Sequence, residues 1–145
     1  MPEYKTTYDY SPKAGVANFD DSSWPDAGEL GARRGGGKVS FIWYRATITI
    51  PAKIGNFDTA GAIVVLNINV DDYAEVWVDG QMNRRPGLPS PAGIQGLSTP
   101  NRVVLTDKAN PGERFQVAVF GINGPISFAP MNFVWFRDAR MEFYK

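Results

Sequence analysis

The chain has 145 residues, with 15 basic and 15 acidic side chains, a formal net charge of zero, and neither Cys nor His. That composition excludes a disulfide framework, a thiol nucleophile and thiolate-held metals, and it removes the commonest neutral-pH base and transition-metal ligand. Balanced charge argues against a nucleic-acid partner, and no run approaches the roughly 20 apolar residues that a membrane helix needs.

The length fits one domain, residues 1–145, with enough chain to bury a core unaided. The opening residues Met1 to Lys5 carry no apolar signal core, so the expectation is a mature protein or a domain excised from, or accessory to, a larger enzyme. The first forty residues are irregular. Arg33, Arg34 and Lys38 flank three glycines, but a phosphate loop would need Lys-Ser/Thr and a following helix, whereas Val39, Ser40 and Phe41 open a strand. The segment reads as a flexible basic loop.

From Ser40 onward the period is two. Tyr44, Ala46, Ile48 and Ile50 alternate with Arg45, Thr47 and Thr49, which predicts a half-buried strand with the first set inward. Val64, Leu66, Ile68 and Val70 form the inward set of a strand over 62–70, with Asn67 and Asn69 on its other face. Ala74, Val76 and Val78 alternate with Glu75 and Trp77, and Asp79-Gly80 supplies a hairpin turn. A Pro- and Gly-rich stretch from Gln81 to Pro100, containing Arg84 and Arg85, reads as a long loop. Strands follow over 102–105 and 115–122, separated by the turn residues Asn110, Pro111 and Gly112, then over 133–136 and 139–143. Seven or eight short strands with turns between them predict an all-β protein, an antiparallel β-sandwich or jelly roll.

Phe19-Asp20-Asp21-Ser22-Ser23-Trp24-Pro25, then Trp43-Tyr44-Arg45, then Val70 through Gly80 as VDDYAEVWVDG, resemble the galactose-binding-like jelly-roll domain of glycoside hydrolase family 2 enzymes. The run Arg33 to Lys38, the run Ala118 to Pro125 and the ending through Lys145 look like the β-sandwich domain attached to some bacterial gluconolactonase-like proteins. The resemblance implies a non-catalytic accessory module in a secreted or periplasmic setting. Its role would be carbohydrate binding or docking, with lactonase chemistry belonging to a separate propeller.

Sugar recognition needs an aromatic ring against the C–H face of the sugar and planar polar groups for its hydroxyls. Period-two alternation turns Trp43, Arg45, Asn67, Asn69, Glu75 and Trp77 outward, which predicts one glycan platform if their strands are neighbours. Arg33 and Arg34 would support it, toward a uronate or a partner. The competing reading makes the indoles core filler and the Arg–Trp neighbours structural cation–π pairs.

Galactose-binding-like modules often carry a structural calcium, and Asp20-Asp21 and Asp71-Asp72 are the carboxylate pairs to consider; turn formation is their simpler role. No other cofactor is expected. No Gly-x-Ser-x-Gly elbow is present and no carboxylate pair stands out, so the expected protein is not an enzyme. It is expected to bind an oligo- or polysaccharide and so to target an attached catalytic domain. The alternative is an interaction or scaffold domain that packs on a propeller or mediates oligomerisation, through apolar residues such as Phe128, Met131 and Phe133.

Overall fold

The computed structural model describes residues 13–71, 73–82, 100–124 and 131–145. Most of the expected Pro-rich loop, with Arg84 and Arg85, lies outside them, as do Asp72 and Phe128. Among the described residues nine strands follow a short 3-10 turn at Lys13–Gly15. They are β1 (Arg33–Gly37), β2 (Ser40–Thr49), β3 (Lys53–Ile54), β4 (Phe57–Asp58), β5 (Ile63–Asp71), β6 (Tyr73–Val78), β7 (Pro100–Thr106), β8 (Arg114–Asn123) and β9 (Asn132–Tyr144).

One sheet has the order β1-β9-β5-β7, a second β2-β8-β6, and β3 with β4 forms a small ribbon. The pairs β1–β9, β2–β8 and β5–β7 are antiparallel and nested, as when one long hairpin is rolled over so that its two arms alternate between layers. That is the jelly-roll form of the antiparallel sandwich, and it bears out the expected fold.

The inward set follows the period-two reading. Val64, Leu66, Ile68 and Val70 of β5 and Val134 and Phe136 of β9 meet Val76 and Val78 of β6 and Val117 and Val119 of β8 in one buried cluster. Each such side chain contributes roughly 1.5–3 kcal/mol by leaving water. The layers are tightly packed at Gly121, where a Cβ would stand 2.7 Å from Val134 Cγ1 and 3.3 Å from Val70 Cγ1. The hairpin predicted at Asp79-Gly80 is also present. Both residues have positive φ, 48° and 77°, as a type I′ turn requires. Val78 and Gln81 exchange backbone hydrogen bonds of 2.8 and 2.9 Å across it.

Three expectations are corrected. The supposed flexible loop at Arg33–Gly37 is strand β1, paired with Val134 and Trp135 of β9. Its glycines are there for space and conformation, because Gly36 has φ 113° and a Cβ on it would lie 2.7 Å from the Phe133 ring. The two short C-terminal strands are one, β9, whose register against β5 shifts between Asn69 and Val70, opposite Asp138 and Phe136. Finally, of Tyr44, Ala46, Ile48 and Ile50 only Ile50 is buried, and Ala46 is exposed. The cause is position: among the described residues β2 is the outer strand of its sheet, and the sandwich is open beside it.

Candidate binding face

With Val76, Val78, Val117 and Val119 turned inward, the alternate residues of the β2-β8-β6 sheet share its outer face. Register sets them in rows. Phe41, Ile122 and Tyr73 form one row, Trp43, Phe120 and Glu75 the next, and Arg45, Ala118 and Trp77 the third. Neighbouring strands are about 4.8 Å apart, so each row is a contiguous strip. Four of the predicted platform residues, Trp43, Arg45, Glu75 and Trp77, therefore do lie on one face.

The third row is partly covered. The Arg45 side chain is 2% exposed although it sits on the outer face. Its Nε donates to Asp21 Oδ2 at 2.8 Å, one terminal nitrogen to the carbonyls of Ala14 and Val16, and the other to those of Ala17 and Phe19. All five N–H groups of the guanidinium are used, and its plane lies 5.3 Å from the Phe19 ring centroid. Trp77 is covered from the same side, since a Cβ on Gly15 would stand 3.0–3.3 Å from its indole. Residues 13–24 thus form a strap that is held down by Arg45 and lies over Trp77. Both lie on the outer face as expected, but the Arg45 side chain is buried there and Trp77 is half-buried, because alternation assigns a face and not what covers it.

The first two rows are different. Phe41 is 58% exposed and stacks on Phe120 at 5.9 Å, with ring planes 13° apart. Trp43 leans on Phe120 at 4.9 Å. Tyr73 donates its hydroxyl hydrogen to Glu75 Oε1 at 2.8 Å, which fixes a carboxylate at the far end of the second row. Around the open edge of β2 this face continues into a groove of about 1130 Å³. Phe41 and Trp43 lie on one side of the groove and Trp24, Asp21 and Asp26 in the strap on another, while Ile48, Leu66, Ile68 and Phe136 of the core form its floor. Tyr44 is part of the wall, and its buried hydroxyl has no hydrogen-bond partner among the described residues.

The strap's carboxylates have local roles. A hydrogen bond from the Ser22 side chain foremost, then one from Ser22 N to Asp20 Oδ1 at 3.0 Å, holds the Asp20 carboxyl below the ordinary range, and Asp26 Oδ1 accepts from Gly28 N at 2.7 Å. Arg34, another predicted site residue, lines the groove, but its terminal nitrogens donate to the carbonyls of Ala27, Glu29, Leu30 and Ala32. It organises the turn before β1 and lies 5.6 Å over the Tyr44 ring. Among the described residues, no three acidic side chains are grouped as a metal would require.

Asn67, Asn69 and Arg33 belong elsewhere. They lie on the β1-β9-β5-β7 sheet, on the opposite side of the sandwich, so the single six-residue platform is corrected to two faces back to back. Asn67 is 3% exposed and donates from Nδ2 to Glu142 Oε1 at 2.7 Å. Tyr144 and Arg102 also donate to Glu142 Oε2. With hydrogen bonds from Asn67 foremost, then from Tyr144 and Arg102, the Glu142 carboxyl is pulled down to about 2. Arg33 lies 4.8 Å from the ring of Trp135, with Arg137 at 3.8 Å from the same ring and 3.5 Å from Asp71. These are the structural cation–π pairs of the competing reading.

Sequence reasoning missed Phe41, Phe120 and Trp24. Phe41 was in view, two residues before Trp43 in the same alternation; Phe120 alternates outward from Val117 and Val119. Trp24 lies in an irregular strap, and period-two reading has no purchase there.

No family model matches the chain, and none of the curated proteins does. Among solved structures it is similar to a β-glucuronidase from Faecalibacterium prausnitzii, at 29% identity and a TM-score of 0.41, over 61% of this chain and 12% of that one. The chain therefore spans a small fraction of that enzyme, and the likeness is too loose to carry function.

Proposed function

We propose that this chain is a non-catalytic carbohydrate-binding module whose site is the Phe41–Phe120–Trp43 face and the groove beside it, and that it targets an attached enzyme to a glycan. The observation that carries the reading is the packing of Trp43 against Phe120 at 4.9 Å next to a groove rimmed by Trp24 and two carboxylates. A sugar ring presents C–H groups to one side and hydroxyls at its edge. Aromatic faces meet the first, and carboxylate oxygens accept from the second.

The carboxylates at the site act as positioned acceptors. Asp21 is paired with Arg45, Asp26 closes a turn, and Glu75 takes the Tyr73 hydroxyl, so each carboxylate is held in place by a partner. Affinity electrophoresis against a panel of polysaccharides, with intrinsic Trp fluorescence titration, tests the reading. Retention on at least one gel, lost in Trp43→Ala, is expected. No retention and no fluorescence change across the panel overturns it.

A second reading, a docking domain, is favoured by one observation. The groove floor is made of core side chains beside the unpaired edge of β2, a surface that a protein segment would cover as well as a sugar would. Self-association or partner capture by the isolated domain, with no response to any sugar, is its signature.

A further inference from the structure

Resting on the carbohydrate-binding reading, we propose that this site takes an uncharged glycan and rejects uronate-bearing or sulfated ones. Recognition of an anionic sugar calls for guanidinium or ammonium donors that are free to form a bidentate fork with a carboxylate or sulfate. Among the described residues two arginines line the groove, and both are already engaged. Arg45 has all five N–H groups committed to Asp21 and four backbone carbonyls, with its side chain 2% exposed. Arg34 has its two terminal nitrogens committed to four carbonyls, which leaves only Nε.

Groups of the opposite sign remain available. Asp26 lines the groove with one carboxylate oxygen in the turn to Gly28. Glu75 holds Tyr73 through Oε1, with Oε2 as a further acceptor. Residues 20–29, the end of the strap and the turn after it, contain Asp20, Asp21, Asp26 and Glu29 and no basic residue. Lys38, in the turn between β1 and β2, does not line the groove. Among the described residues the site thus offers acceptors for sugar hydroxyls and no free cationic fork for an anion, which is selectivity against a competitor as well as attraction to a ligand.

The test is affinity electrophoresis of the full chain at moderate salt. Gels carry hydroxyethylcellulose, arabinoxylan or galactomannan on one side and polygalacturonate on the other, each repeated with Trp43→Ala. Phe41→Ala, at a side chain 58% exposed, reads the same face if Trp43→Ala does not fold. Expected is retention on a neutral gel that both variants lose, with Trp43-dependent binding to polygalacturonate at least tenfold weaker. Polygalacturonate retention that the variants leave unchanged belongs to the opposite face, around Arg33 and Arg137, and leaves the proposal standing. Polygalacturonate retention as strong as the neutral kind and lost in Trp43→Ala overturns the selectivity while sparing carbohydrate binding. No retention on any gel overturns the carbohydrate reading, and this inference with it.

Discussion

Arg45 Nε donates to Asp21 Oδ2 at 2.8 Å across 24 residues of sequence, and the bond fastens the irregular N-terminal strap to the outer face of a sheet. The two ends of the pair are unequal: Arg45 is 2% exposed and Asp21 42%. Replacing Arg45 by Met removes a donor from four carbonyls of the strap, of which Val16 keeps the Phe19 N–H, so a loss of about 2–4 kcal/mol in urea unfolding is expected, with new protease cleavage within 14–24. Asp21→Asn removes only the exposed partner of a guanidinium that keeps its carbonyls, so its cost is expected to stay below about 1 kcal/mol.

Gly15 reads the same strap from the other side. A methyl group there meets the Trp77 indole at 3.0–3.3 Å and the strap must lift by a few tenths of an ångström. Gly15→Ala is expected to cost about 1 kcal/mol, and Gly15→Val more, with a red shift in Trp emission as Trp77 gains water. An unchanged emission maximum in Gly15→Val would show that the strap does not cover Trp77.

The opposite face predicts a pH dependence. Asn67, Tyr144 and Arg102 hold the Glu142 carboxyl at about 2 against an ordinary 4.5. A carboxyl whose folded value is depressed stabilises the fold above its unfolded value, and that contribution is lost as pH falls toward the folded one. The stability gap between the wild type and Glu142→Gln should therefore be full at neutral pH and shrink between about 4.5 and about 2. Urea midpoints at several pH values across that window measure it; a gap that does not change with pH counts against the network.

Most of the layered architecture was legible in the sequence, because β5, β6 and β8 each turn an alternating apolar set toward the opposite layer. Alternation therefore carries both element and orientation for Val64, Val76 and Val119. It failed where another constraint ruled. Residues 33–37 look like a loop because three glycines signal flexibility, yet they pair with Val134 and Trp135 because Phe133 leaves no room for a side chain at Gly36. Alternation also cannot say which sheet a strand joins. Asn67 and Trp43 both point outward, but from opposite layers, and that follows from long-range pairing with β9 and β8. The covering of Arg45 and Trp77 was invisible for a similar reason, since it depends on a strap with no period of its own.

Gly36 offers a direct check on that correction. Gly36→Val combines a backbone at φ 113° with a contact of 2.7 Å to Phe133. A loss of about 2–3 kcal/mol is expected, together with faster amide exchange along β1 and its partners in β9. A variant with wild-type stability would mean that β1 is not held as a strand.

Gly121→Val tests the tight packing of the layers. Its Cβ alone would press Val134 at 2.7 Å and Val70 at 3.3 Å, so two further methyl groups should push the sheets apart. Expected is a drop of about 3 kcal/mol or a failure to fold, and Gly121→Ala should give a smaller loss by the same thermal melt.

The last strand, β9, lies in the interior of its sheet between β1 and β5. Synthesis delivers both of those neighbours long before the strand that must separate them. Until Asn132–Tyr144 leaves the ribosome, β1 and β5 lack the strand that pairs between them, so the nascent chain carries exposed backbone edges in the meantime. Such a topology folds late and slowly, by milliseconds to seconds rather than microseconds, and every copy passes through a stage in which a holdase has something to grip.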